Sequence, residues 1–322
     1  MTLRHKLLMS LGTLGVVILL WRIDLDAVQR ALVHVGWGMA LVLSQEIVAH
    51  VLNARGWRFA FPPESASRVS LGELIRLRVA GDAINYLTPT ATIGGEVART
   101  ALLSDAGGAE LRAVSVIIAK ATQTLAQALF IAAGLLLVAT EWITDGRWLL
   151  PWAGVVLLAA VVVAYRVRAR GAEVAAVWRR VLGASLVGFL RRHPGRVALS
   201  TLMFALAYAW GAFEAYWICR FLLMPVAPVT AFMIEVLSIT IDGLFFMVPA
   251  KIGTQEGGKV VAFAALGLPP SLGFAFGVVR HVRELIWAAA GILLYWAAIN
   301  RRGSSSLDRV LPNAATPATP EA

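Results

Sequence analysis

The sequence predicts an all-α polytopic membrane protein with about six full spans plus two broken, re-entrant helical hairpins in an inverted repeat. Three observations predict it. Hydrophobic residues make up 59% and charged residues 15% of 322 residues, with a mean hydropathy of +0.74, more than a water-soluble core requires. Six stretches, 3–21, 38–60, 113–140, 148–165, 197–220 and 273–299, are long and apolar enough to cross a bilayer core of about 30 Å. They are expected to be helices, because lipid leaves the backbone of an open strand unsatisfied. Finally, a polar skeleton breaks the apolar sequence twice, 160 residues apart: Asp82, Pro89, Glu96, Arg99 and then Asp242, Pro249, Glu256, Lys259. Both copies read D-x6-P-x6-E-x2-[KR].

Each element follows in turn. Arg4, His5 and Lys6 before the apolar run Leu7 to Trp21 resemble a secretory signal. No A-x-A-like site follows, and Arg22, Asp24 and Asp26 do, which predicts an uncleaved first span, 3–21, with a cytoplasmic N-terminus. After the span 38–60, the segment 71–105 is broken by Pro89, Gly94 and Gly95 into a hairpin. The span 113–140 and an outer loop with Glu141 and Asp145 lead to a linker span, 148–165. The loop 166–196 holds eight arginines against Glu173, which marks it as cytoplasmic. In it Val174, Val177, Trp178, Val181, Leu182, Leu186, Phe189 and Leu190 recur at helical spacing. That pattern fits either an interfacial helix on anionic lipid or an ordinary basic loop with a short helix. The span 197–220 precedes the second hairpin, 231–268, broken by Pro249, Gly253, Gly257 and Gly258, and 273–299 closes the array. Residues 1–302 thus read as one integral membrane domain, with repeat halves about 38–140 and 197–299, and the Ser, Pro and Ala-rich segment 303–322 as a disordered tail. Counting outward from the basic loop puts both termini in the cytoplasm, in agreement with Arg301 and Arg302 near the C-terminal end.

Three spans separate the hairpins, so one is expected to enter from the cytoplasm and the other from the opposite side. The halves share few identities. The match is carried by rare intramembrane residues that coincide, including Arg99 with Lys259 and Lys120 with Arg280. Other function classes find little support. The net charge of +10 falls mostly in short loops without a nucleic-acid-binding pattern. Cys219 is the single cysteine, which leaves no intrachain disulfide or CxxC site. No hydrolase elbow, phosphate loop, zinc-protease or dinucleotide motif stands in a suitable context, and the loops are too short for a catalytic domain. No enzyme activity, metal or cofactor is expected.

The charged residues carry the remaining signal. Pro89 biases Thr88 away from helix, so the first helix is expected to stop near Tyr86 and restart near Gly95. The restarted helix either offers its amide groups to an anion or caps itself with Glu96 and Arg99. The second copy repeats acid, breaker and base, and adds Lys251 inside the break. In R-H-V-R-E-L, the residues Arg280, Arg283 and Glu284 share a helical face. They either line a cavity or pair internally with Asp242 or Glu235; His281 reads as a bystander. Glu214 either relays a proton or finds a basic partner. Glu46 and His50 have the spacing of a metal pair without a third ligand.

At these residues the chain resembles a known family. T-P-T-A-T-I-G-G-E-V-A-R-T-A-L-L, V-P-A-K-I-G-T-Q-E-G-G and V-V-R-H-V-R-E-L are similar to the flippase-like lysylphosphatidylglycerol synthase transmembrane region. The likeness is greatest to stand-alone hopanoid-biosynthesis-associated membrane proteins. It implies lipid handling in a bacterial inner membrane. The soluble aminoacyl-transferase domain of bifunctional relatives has no counterpart here, so synthase activity is not implied. The leading expectation is a lipid translocator whose hairpins meet near the midplane around an anionic or hopanoid-type headgroup. Arg99, Lys120, Lys251, Lys259, Arg280 and Arg283 would contact the headgroup, with the cation-rich second copy as its main seat. Asp82, Glu96, Glu214, Asp242, Glu256 and Glu284 would orient those bases or carry protons. The alternative is an accessory protein that scaffolds lipid-biosynthesis enzymes.

Overall fold

The computed structural model describes residues 33–88, 93–103, 108–144, 183, 185–245 and 248–310, and all regular structure among them is helical. The expected spans 3–21 and 148–165, the loop residues 166–182, Pro89 and the last part of the tail, 311–322, lie outside the described residues. The helices are α1 (Gly38–Phe59), α2 (Pro63–Ala66), α3 (Leu71–Leu87), α4 (Gly94–Leu102), α5 (Ala109–Thr144), α6 (Pro194–Phe221), α7 (Pro228–Leu244), α8 (Thr254–Ala265) and α9 (Pro270–Val310). A short 3-10 turn, Pro249–Lys251, separates α7 from α8.

Local chemistry sets the ends. Ser70 caps α3 by accepting the amide of Glu73 at 3.1 Å, the first half of a capping box. α3 stops where Thr88, the residue before Pro89, turns extended (φ −117°, ψ 142°). Pro194, Pro228 and Pro270 open α6, α7 and α9 in the first turn, where a missing amide costs nothing. Three described helices are long and apolar enough to cross a membrane: α5 over Ala109–Val138, α6, and α9 over Pro270–Asn300. α1, at 22 residues, is about 33 Å long but more polar.

Exchanging α1 with α6, α3 with α7, α4 with α8 and α5 with α9 maps most of the packing onto itself, the contact of α5 with α6 being the main exception. α1 packs on α6; α3 on α9 and α7 on α5; α4 on α5 and α8 on α9; α3 on α1 and α7 on α6. The turn Pro249–Lys251 also touches α3, so the two hairpins meet. One apolar core, around Trp57, Phe61, Leu74 and Phe204, fills the space between α1, α3, α5 and α6. Another, around Val42, Ile218, Ile234, Phe263 and Phe276, fills the space between α1 and α6 to α9.

One expectation needs correction. Helix α9 continues to Val310, eight residues into the expected tail, because Gly303 alone does not stop a helix and the next proline is Pro312. The described end of the basic loop forms a short helix, 185–192, in which Phe189 is 6% exposed and joins the Trp57 core, while Val187 and Leu190 face out. Its turn into the core follows from its direct run into α6 at His193 and Pro194.

The close approach of α3 and α4 rests on two glycines. A Cβ at Gly95 would overlap the carbonyl oxygen of Gly81, and one at Gly81 would overlap the Arg99 guanidinium. Gly95→Ala is therefore expected to cost about 1–3 kcal/mol of stability by overpacking. Equilibrium unfolding in mixed micelles checks this; an unchanged midpoint would mean that the helices separate freely.

Candidate functional site

The two hairpins place the same pair of groups in contact. Asp82 on α3 accepts through Oδ1 from Arg99 Nη2 at 2.6 Å, and Asp242 on α7 accepts through Oδ1 from Lys259 Nζ at 2.7 Å. Each aspartate also holds a second cation on Oδ2: Arg78 Nε at 3.1 Å in the first half, Lys251 Nζ at 2.9 Å in the second. An α-helix alone could not bring residues 17 apart together. The breaks fold α4 and α8 back beside α3 and α7, and this makes the pairs.

The restart of α4 is capped from within. Asn85 Oδ1 accepts the amide of Gly95 at 2.7 Å, and Asn85 Nδ2 donates to Glu96 Oε2 at 3.1 Å. Glu96 Oε1 receives Arg99 Nη1 at 3.1 Å and Lys120 Nζ at 3.2 Å. Of the two readings left by the sequence, the self-capped break describes this conformation, with Asn85 as the cap. The second break is built differently. Ala250 and Lys251 adopt left-handed φ values of 49° and 51°, and Gly253 follows at 71°. Left-handed backbone costs a residue with a Cβ roughly 1–2 kcal/mol. Lys251 is held there by Asp242 and by Glu284 Oε1 at 3.1 Å.

Helix α9 brings its charged face to three other helices. Arg280 reaches Glu235 on α7 and, at 3.1 Å, Glu214 on α6. Arg283 reaches Glu46 on α1, Glu214 at 2.8 Å and Glu284 at 3.3 Å. Of the two partners expected for Arg280, Glu235 is met and Asp242 is not, since Asp242 is taken by Lys251 and Lys259. Glu214 has two basic partners. His281 is no bystander: its Nδ1 meets Glu256 Oε1 at 2.5 Å. Glu46 and His50 do not converge on a metal position, because Glu46 turns to Arg283 while His50 lies edge-on against Trp287.

The second cluster does hold more cations than the first, but its acids outnumber them. Three cations, Arg78, Arg99 and Lys120, face the two carboxylates Asp82 and Glu96 in the first cluster. In the second, Lys251, Lys259, Arg280, Arg283 and His281 face six carboxylates: Glu46, Glu214, Glu235, Asp242, Glu256 and Glu284. The cation surplus is in the first cluster. A small pocket lies beside it, lined by Trp57, Arg78, Glu96, Arg99, Lys120 and Gln123, with room for about one water molecule.

Sequence reasoning missed four participants. Arg78 was legible as the i−4 partner of Asp82. Asn85, Glu46 and His281 owe their roles to contacts across helices, for which local spacing holds no signal.

Comparison with known proteins adds one finding to this geometry. A family model described as lysylphosphatidylglycerol synthase TM region matches residues 6–292. No curated protein and no solved structure matches the chain.

Proposed function

Because the chain belongs to the lysylphosphatidylglycerol synthase TM region family, and is thus a membrane protein related to lipid handling, we propose that it translocates a lipid and performs no chemistry on it. The lipid is an anionic phospholipid or a hopanoid-type lipid of a bacterial inner membrane, and both chain termini face the cytoplasm. One observation carries this reading. In each half an aspartate on one arm of a broken hairpin grips a cation on the other arm, Asp82 with Arg99 and Asp242 with Lys259. Charge kept inside an apolar helical bundle is costly unless it is used, and paired breaks are a feature of transporter repeats.

The ion pairs serve as the resting partners of the headgroup site. A phosphate offers the same oxygens as a carboxylate, so it exchanges with Glu96 on Arg99 and Lys120 without leaving either cation bare. The first cluster is the main seat, since its cations outnumber its acids and the pocket lies beside it. Inverted entry of the two hairpins would then present equivalent sites to the two leaflets.

Reconstituted vesicles test this. The wild type is expected to equilibrate a headgroup-labelled phosphatidylglycerol between leaflets, and Glu96→Gln to lose at least about tenfold in rate, since it removes the carboxylate that returns both cations to rest. Equal rates with and without protein would sink the proposal. A second reading, an accessory scaffold for lipid-biosynthesis enzymes, is favoured by the full internal pairing of Asp242, Lys251 and Lys259. Co-purification of such an enzyme together with absent flux would select it.

A further inference from the structure

The two halves hold the glutamates of their helix breaks by different chemistry. Glu96 accepts from Lys120 Nζ at 3.2 Å, whereas its counterpart Glu256 meets His281 Nδ1 at 2.5 Å. Lys120 stands on α5 and His281 on α9, the helices that correspond in the packing. The residue in register with Lys120 is Arg280, but Arg280 is taken by Glu214 and Glu235. Where the first half has a permanent cation, the second therefore has an imidazole, which is a cation only when protonated.

A further observation singles out that imidazole. His281 is 3% exposed, and its Nε2 has no hydrogen-bond partner among the described residues. Buried ring nitrogens are normally paired. With Nδ1–H donated to Glu256, Nε2 is the atom at which a proton adds. The neighbouring charges are matched elsewhere. From α8, Lys259 is held by Asp242; from α6, Glu214 is held by Arg280 and Arg283. From α1, Glu46 is held by Arg283, and Lys251 of the 3-10 turn by Asp242 and Glu284. From α3, Tyr86 lies near Glu284 and Glu256. The pair also sits at the seam between α8 and α9. A Cβ at Gly277 would lie 2.8 Å from Glu256 Cα, so the two backbones touch there.

We propose that His281 and Glu256 form a proton-binding site that locks the second helix break against α9. One proton from water added at Nε2 turns the neutral imidazole into an imidazolium. Glu256 remains a carboxylate, and the hydrogen bond becomes an ion pair like that of Lys120 with Glu96. Release of the proton to water weakens the contact and lets α8 part from α9. On the translocation reading above, on which this last step rests, each opening of the second half releases one proton.

The test uses the full chain in lipid nanodiscs and needs no transported lipid. In a Cys219→Ser background, Gln255→Cys places a thiol at a position that is 0% exposed on α8. Its rate of modification by a water-soluble reagent is divided by that of Gly257→Cys, which is exposed. The ratio is expected to rise roughly fivefold from about pH 5 to about pH 8, the margin of a charge-assisted over a neutral hydrogen bond. His281→Lys should hold the ratio low across the range, and Glu256→Gln should hold it high. No rise in the parent, or the same rise in Glu256→Gln and His281→Gln, would overturn the lock even if the lysine variant does not fold. Flat labelling with lipid movement intact would sink this proposal alone; absent lipid movement with the labelling response intact would sink only the translocator.

Discussion

Asp242→Ala is expected to lower folding stability by about 3–5 kcal/mol, the loss seen when one member of a buried ion pair is removed. Two ammonium groups depend on this carboxylate, Lys259 at 2.7 Å and Lys251 at 2.9 Å. Lys259 is 0% exposed and, among the described residues, its one ion partner is Asp242, so it cannot turn to water when the acid is gone. Lys251 keeps Glu284, but its left-handed backbone loses one of the two contacts that hold it. The double variant Asp242→Leu with Lys259→Met should recover most of the loss, because a well-packed apolar pair is often no worse than a buried ion pair. Equilibrium unfolding in mixed micelles reads both. A single variant as stable as the wild type would show that the second hairpin is not closed by this pair. The matching change in the first half, Asp82→Ala, should cost less, since Arg99 retains Glu96 and the carbonyl of Arg78.

Arg283→Met is expected to be as damaging, at about 3–5 kcal/mol, for a different reason. This guanidinium ties Glu46 of α1 and Glu214 of α6 to α9, and it also bonds Glu284. Without it, Glu46 has no cation among the described residues, and Glu214 keeps Arg280 alone. Arg283→Lys should recover only part of the loss, since one ammonium cannot reproduce a planar fork that spans acids on separate helices. Neutralising the stranded acids should do more: Glu46→Gln and Glu214→Gln added to Arg283→Met are expected to restore a folded, monodisperse protein. Thermal unfolding followed by size-exclusion chromatography checks the series. Full recovery by lysine would reduce Arg283 to a point charge.

Much of the fold was legible because its signals are local. Thr88 turns extended before Pro89, α4 starts at the expected glycine pair, and Gly253 takes the left-handed turn that opens α8. The polar skeleton also marked Asp82, Arg99, Asp242 and Lys259 as members of one recurring motif, but the pairing of each aspartate with the base 17 residues on came from the fold. The partners of α9 were less legible. Arg280 and Arg283 share a face by helical period, but the sequence left Glu235 and Asp242 as equal candidates for Arg280. Coulomb attraction does not discriminate between acids; position does. Lys251, set in a left-handed turn, reaches Asp242 and leaves Arg280 to Glu235 and Glu214.

The sequence by itself determined the class of protein, the places where helices stop and restart, and the residues whose charge is too costly for an apolar bundle to carry idly. Those properties depend on neighbours a few residues away and on the solvent the chain must meet. The tertiary structure alone decided which charge answers which. It moved the cation surplus to the first cluster by bringing Glu46, Glu214 and Glu235 to the second. It also gave Glu256 a histidine where Glu96 has a lysine. Such pairings are set by the packing of helices distant in the chain, and no spacing along the sequence encodes them.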